Sequence, residues 1–170
     1  MNPNNDQTHS AFSKIPVLSN HRITLRGLEL SEAAAIIDIS VYNGVFATNE
    51  TEAAHILEQI NADIAKGESL HWGIFLNGTD EIAGTCGYYR GFAENSGEIG
   101  YILRESYRGK GLMTEAVQLL VDFGFKTLKL DQIIAYTDLS NSASAAVLQR
   151  AGFTEVQAAD GDRKFIISNH

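Results

Sequence analysis

Cysteine occurs once in these 170 residues, at Cys86, and proline only twice. One thiol excludes a disulfide framework within the chain, and the apolar neighbours of Cys86 make it a small core residue. The five histidines fall at no spacing that suits a metal ion. No apolar run approaches the ~18 residues of a membrane span, and the polar opening residues lack the apolar stretch of a signal peptide. Basic residues are in deficit, 13 against 21 acidic ones, for a net charge of −8 and a pI near 5.0. No basic face for nucleic acid results. The expected location is therefore cytoplasmic, with neither membrane nor nucleic acid as a partner and with a monomer or a homodimer both open.

What is present is ordinary for a globular chain, 44% hydrophobic and 20% charged residues. The length suits one domain with a sizeable core and is short for two. Residues 1–14 read as a polar leader with nothing to bury, expected to be disordered, and 15–170 as the domain. His21–Leu28 alternates as a strand with Ile23 and Leu25 inward, its Arg22 and Arg26 on a solvated face beside acidic neighbours. Ser31 opens a helix to about Ser40. A loop from Tyr42 to Glu50 follows, and then a helix capped by Thr51, striped by Ala53, Leu57, Ile60 and Ile64, and ended by Gly67. Strands at His71–Leu76 and Glu81–Tyr89 flank an Asn77-Gly78 turn. Gly84 and Gly87 inside the second of them signal close backbone approach.

The stretch from Glu98 to Ala116 organises the rest. Ile99, Tyr101 and Leu103 alternate with Glu98, Gly100 and Ile102 as in a strand. Helical spacing then begins, with Glu115, Gln118 and Asp122 on one side and Ala116, Leu120 and Phe123 on the other. Between the two lies Arg108-Gly109-Lys110-Gly111-Leu112-Met113. It places bare backbone at a helix N-terminus, where unpaired N–H groups and the helix dipole favour a phosphate. Two other phosphate loops do not fit. A Walker A loop needs Ser or Thr after its Gly-Lys, whereas Gly111 follows Lys110. A dinucleotide loop needs a third glycine where Thr114 stands. Downstream, Gln132–Thr137 is a strand, Asp138–Ser144 begins a last helix ending at Gly152, and a hairpin around Asp160-Gly161 returns through Phe165-Ile166-Ile167.

The glycine arm resembles the Arg/Gln-x-x-Gly-x-Gly/Ala signature of the GNAT acetyl-CoA-dependent N-acetyltransferases. Met113 stands where that signature has Gly or Ala, a position that needs only a backbone amide. Glu-Ile-Gly-Tyr at 98–101 and Gly-Lys-Gly-Leu-Met-Thr-Glu-Ala at 109–116 are closest to the RimJ/RimL branch. The similarity runs from about Val17 to Phe153. It implies an α/β (α+β) fold, a mixed, mostly antiparallel sheet with one splayed strand pair and helices on both faces. It implies acetyl-CoA as cosubstrate, its pyrophosphate on the N–H groups of Gly109, Lys110, Gly111, Leu112, Met113 and Thr114, with Arg108 positioning the arm. Backbone groups of Tyr101, Ile102 and Leu103 would meet the pantetheine arm, and an N–H near Leu103 the oxyanion.

Asn141 and Ser144 match the family's Asn-x-x-Ser. Asn141 would bind pantetheine, its bland alternative being a plain helix cap. Ser144 would protonate the leaving thiolate, because Leu148 occupies the place of the tyrosine that many members use. Glu98, on the central strand, is the candidate general base, set against a simple strand-end salt bridge. The helical pair and its loop would wall the acceptor site, with Tyr42, Phe46 and His55 as contacts. The expected activity is direct acetyl transfer to a primary amine, a peptide N-terminus or a small molecule; a non-catalytic acyl-CoA sensor is the rival.

Overall fold

The computed structural model describes residues 14–157 and 161–170. The expected leader and Asp160 of the expected turn lie outside them, apart from Lys14. In chain order the elements are β1 (Leu18–Ser19), β2 (Ile23–Arg26), α1 (Leu30–Ile39), β3 (Val41–Tyr42), β4 (Val45–Phe46), α2 (Glu50–Ala65), β5 (Leu70–Leu76) and β6 (Ile82–Tyr89). Then come β7 (Ser96–Leu103), α3 (Leu112–Lys126), β8 (Gln132–Asp138), α4 (Ser142–Arg150), β9 (Thr154–Val156) and β10 (Asp162–Ser168). Eight strands form one sheet in the order β1-β2-β5-β6-β7-β8-β10-β9. All its pairs are antiparallel except β7 with β8.

That parallel pair is short. It runs only from Ser96 opposite Gln132 to Glu98 opposite Ile134. Beyond Glu98, β7 stays paired with β6 as far as Leu103, and β8 stays paired with β10 as far as Asp138. The sheet therefore splays between two strands that each keep their outer partner, and half the backbone groups of the inner edges are left without a sheet partner there.

Each face of the sheet carries its own core. Trp72, Tyr88, Ile99, Leu120, Ile133, Leu148 and Phe165 belong to the larger one, beneath α3 and α4. Its polar atoms are satisfied: the Trp72 indole N–H donates to Pro16 O (2.7 Å) and the Tyr88 hydroxyl to Leu120 O (2.6 Å). Cys86 lies in this core, where burial pushes its thiol well above its usual range. The smaller core joins α1 and α2 to the other face through Ile36, Leu57, Ile60, Phe75 and Ile82.

Local expectations hold with three corrections. The first helix winds as a 3-10 helix capped by Glu29, not Ser31, because the Glu32 carboxylate reaches back to the Glu29 N–H (2.9 Å) in a capping box. The second is capped by Asn49, whose side chain accepts from Glu52 N–H (2.9 Å), while Thr51 lies inside the helix. The stretch expected as a plain loop holds a small hairpin, Val41–Tyr42 against Val45–Phe46, turned at Asn43 and Gly44 with φ of 49° and 79°. Asn-Gly is the standard signal for such a turn, but two-residue strands leave almost no periodicity to read. Arg22 and Arg26 do pair with acids, Glu115 at 2.6 Å and Glu32 at 2.7 Å.

Candidate active site

At the end of β7, Arg104 grips the Asp38 carboxylate with two nitrogens (2.9 and 2.7 Å) and also reaches the carbonyls of Ala35 and Ile82. This ties the strand to α1. A short 3-10 turn, Glu105–Tyr107, leads into the arm. Gly109 and Gly111 take φ of 74° and 77°, the left-handed region that a side chain disfavours. Gly111 is the N-cap of α3 and no side chain caps the helix. The first-turn N–H groups, those of Leu112, Met113 and Thr114, have no carbonyl one turn back to bond within the helix. The side chains of Leu112 and Met113 point into the core, 3% and 4% exposed, so these two residues offer the outside only their backbone. The Thr114 hydroxyl is buried without a hydrogen-bond partner. Uncapped amides, open space at Gly109 and a spare hydroxyl fit an anionic group. Of the arm's two cations, Arg108 turns back to the Leu103 carbonyl (3.3 Å) and Lys110 lies over the Tyr107 ring (5.6 Å).

The splayed gap opens beside the arm. Arg104 N–H donates to Ala83 O (2.9 Å), so by antiparallel alternation the backbone groups of Ile102 turn to β6 and those of Tyr101 and Leu103 turn to the gap. Across it, Asn141 caps α4 by accepting from Ser144 N–H (3.0 Å), the structural role foreseen for it. The Ser144 hydroxyl lies 2.8 Å from the Tyr101 hydroxyl, a contact between β7 and α4 that sequence reasoning missed. Burial pushes the Tyr101 phenol up to about 12, against the opposing effect of its bond to Ser144. Leu148 is fully buried.

On the opposite face, a cavity of about 910 Å³ lies between the sheet, the α1–α2 side and the C-terminal strands. Glu98 lines it, a quarter exposed, paired with Arg90 at 2.6 Å. Burial raises the Glu98 pKa and the Arg90 charge only partly offsets this. Glu98 is thus a salt-bridged carboxylate whose pKa burial raises. Arg90 itself sits at φ 65°, a left-handed conformation.

Next to Glu98 in register is Tyr89, whose hydroxyl meets His71 Nδ1 at 2.7 Å. Gly87 makes room for this pair, since a Cβ there would fall 2.7 Å from the Tyr89 oxygen and 2.2 Å from Leu70 O. Burial lowers the His71 pKa to about 4, so the ring is neutral. Tyr42 lines the cavity and donates to Asp63 (2.8 Å). Phe46 and His55 instead border a second, apolar groove of about 560 Å³, which shares Tyr42, Asn43 and Ile56 with the first. Asp63, Glu68, Tyr136 and Lys164 also line the large cavity and were not foreseen. They come from separate elements, and no spacing in the chain links them.

A splayed parallel pair, an uncapped glycine arm and a cavity holding a carboxylate define an acyl-transfer fold, and sequence comparison agrees. The model of an acetyltransferase (GNAT) domain matches residues 22–154, and the chain belongs to that family. It is an acyltransferase, an N-acetyltransferase. Among its relatives, the uncharacterized N-acetyltransferase p20 of Bacillus licheniformis is 33% identical over 144 residues, 80% of this chain and 81% of that protein. The spermidine N(1)-acetyltransferase of Escherichia coli (strain K12) is 33% identical over 57 residues, 34% of this chain and 31% of its own. RimJ of Mycobacterium smegmatis, solved in complex with CoA-disulfide, shares the fold at a TM-score of 0.77 and 24% identity, covering 91% of this chain and 88% of that one.

Proposed function

We propose that the chain, a single acetyltransferase domain over residues 15–170, transfers an acetyl group from acetyl-CoA directly to the primary amine of a peptide or protein N-terminus. One observation carries the reading: the gap between β7 and β8 leads from the uncapped arm at one end to the Glu98 cavity at the other. Acetyl-CoA supplies an activated thioester carbonyl. The N–H groups of residues 109–114 hold its diphosphate, and the gap-facing backbone of Tyr101 and Leu103 holds the pantetheine in the manner of an added strand.

Glu98 takes a proton from the acceptor ammonium, directly or through water, and its raised pKa suits that task. The freed amine attacks the carbonyl carbon, and a gap-facing backbone N–H of β7 receives the oxyanion that forms. As the C–S bond breaks, the Ser144 hydroxyl gives its proton to the sulfur and takes one from Tyr101 at 2.8 Å, and the second proton that the amine nitrogen sheds as the amide forms restores the Tyr101 hydroxyl. Asn141 holds Ser144 in place through the helix cap.

The volume of the cavity and its continuity with the apolar groove suit an extended peptide end. The carboxylates of Asp63, Glu68 and Asp162 along the wall favour a second reading, a small cationic amine such as a polyamine. Coenzyme turnover against a panel of N-terminal peptides and of polyamines separates the two. Turnover with peptides alone supports the first reading, turnover with polyamines alone replaces it with the second, and coenzyme binding without turnover on any amine leaves only a sensor module.

A further inference from the structure

The direction in which the arm's amides point is set from outside the arm. We infer that Arg22 is a positioning residue for the coenzyme site, holding the Lys110–Gly111 peptide with its carbonyl turned away from the diphosphate and its N–H turned toward it. The inference rests on the reading of residues 109–114 as the diphosphate cradle.

Arg22 stands on β2, far from the arm in the chain. Its Nη2 donates to the Lys110 carbonyl (2.9 Å) and its Nη1 to Glu115 Oε1 (2.6 Å). Asn20 donates to the other Glu115 oxygen (2.9 Å) and is itself anchored, its Oδ1 accepting from the N–H groups of Arg22 (2.8 Å) and Ile23 (2.9 Å). A trans peptide is planar, so its C=O and N–H leave on opposite sides. Capturing the Lys110 oxygen on the β2 side therefore sends the Gly111 N–H to the other.

Nothing inside the arm would do this. With glycine at 111, no Cβ restrains the φ on one side of the Lys110–Gly111 peptide, which lowers the cost of its flipping. Flipped, it would present a carbonyl oxygen to the phosphates. The same clamp has a second effect. Glu115 sits in the first turn of α3, where a free carboxylate would repel the anion; Arg22 and Asn20 occupy both of its oxygens. Arg22 is 39% exposed in this pair, so the pair contributes little to folding and its loss falls on coenzyme binding.

The test compares Arg22→Met, Arg22→Met with Glu115→Gln, and Gly111→Glu, by steady-state kinetics at saturating acceptor, calorimetric titration with coenzyme A, and melting temperature. Arg22→Met is expected to raise the KM for acetyl-CoA about tenfold, as for one lost charge-assisted hydrogen bond, with kcat and melting temperature nearly unchanged. Adding Glu115→Gln removes the repulsion but not the freedom of the peptide, so KM stays raised. Full recovery in that double variant overturns the carbonyl role. An unchanged KM in Arg22→Met, with binding lost in Gly111→Glu, overturns the inference and leaves the cradle standing. A fall in kcat and melting temperature together overturns it in favour of a plain structural role. Unchanged coenzyme affinity in Gly111→Glu removes the cradle itself.

Discussion

The proposed coenzyme arm and the proposed acceptor cavity both border β7, and they are built in opposite ways. The arm is a run of contiguous residues that presents backbone amides, its side chains spent elsewhere: Leu112 and Met113 in the core, Arg108 and Lys110 on their neighbours. The cavity is lined by side chains gathered from β5, β6, β7, the α1–α2 side and the C-terminal strands. A backbone site tolerates most substitutions that keep its torsions. A side-chain site can change its substrate with single replacements. One strand thus joins a half that must stay constant for a constant coenzyme to a half free to vary with the acceptor.

The comparison can be broken most sharply at Gly111. A side chain there strains a φ of 77° and puts a carboxylate beside Arg22 at the head of α3, so Gly111→Glu is expected to weaken coenzyme A binding by at least about a thousandfold in calorimetric titration. Unchanged affinity would mean that the arm is only a turn.

On the cavity side the largest expected effect is one of stability. The unfolded chain protonates His71 near pH 6.5, while the buried ring resists until about 4. Stability from this group is complete above the upper value and is lost as pH falls through the window, by about 3 kcal/mol in all. Denaturant unfolding at a series of pH values should show the slope, and His71→Asn should flatten it. An equal slope in both proteins would place the acid sensitivity elsewhere.

Catalysis sharpens the contrast further. Glu98→Gln is expected to lower kcat about a hundredfold with coenzyme affinity unchanged, because Glu98 belongs to the acceptor half. Full turnover at saturating acceptor would reduce Glu98 to the partner of Arg90. The smallest effect is expected at the groove. Phe46 is 56% exposed, so Phe46→Ser should leave stability within about 0.5 kcal/mol while raising the KM of a peptide acceptor several-fold. An unchanged KM across acceptors would detach the groove from substrate recognition.

Legibility in the chain follows the same division. The strand at Glu98–Leu103, the arm and the cap at Asn141 were readable because each depends on residues a few positions apart. The helix caps, Glu29 and Asn49, were misplaced by about two residues, since the hydroxyls of Ser31 and Thr51 also suit a cap and only the reach-back of Glu32 and the contacts of Asn49 decide. Trp72 on β5 and Tyr88 on β6 are core, while Tyr89, the next residue on β6, lines the cavity. Which face of the sheet each takes is set by the pairing of β5, β6 and β7.

By itself the sequence determined the local conformations: which residues wind, which extend, and where two glycines bare the amides of a helix start. Torsional preference and side-chain period act over a turn or two, and the residues that set them are neighbours in the chain. Tertiary structure alone decided where β7 leaves β8, that Tyr101 meets Ser144, that Arg22 reaches Lys110, and which side chains face Glu98. Those contacts join positions tens of residues apart, and their geometry comes from packing two cores onto one twisted sheet, a condition that no short stretch of chain contains.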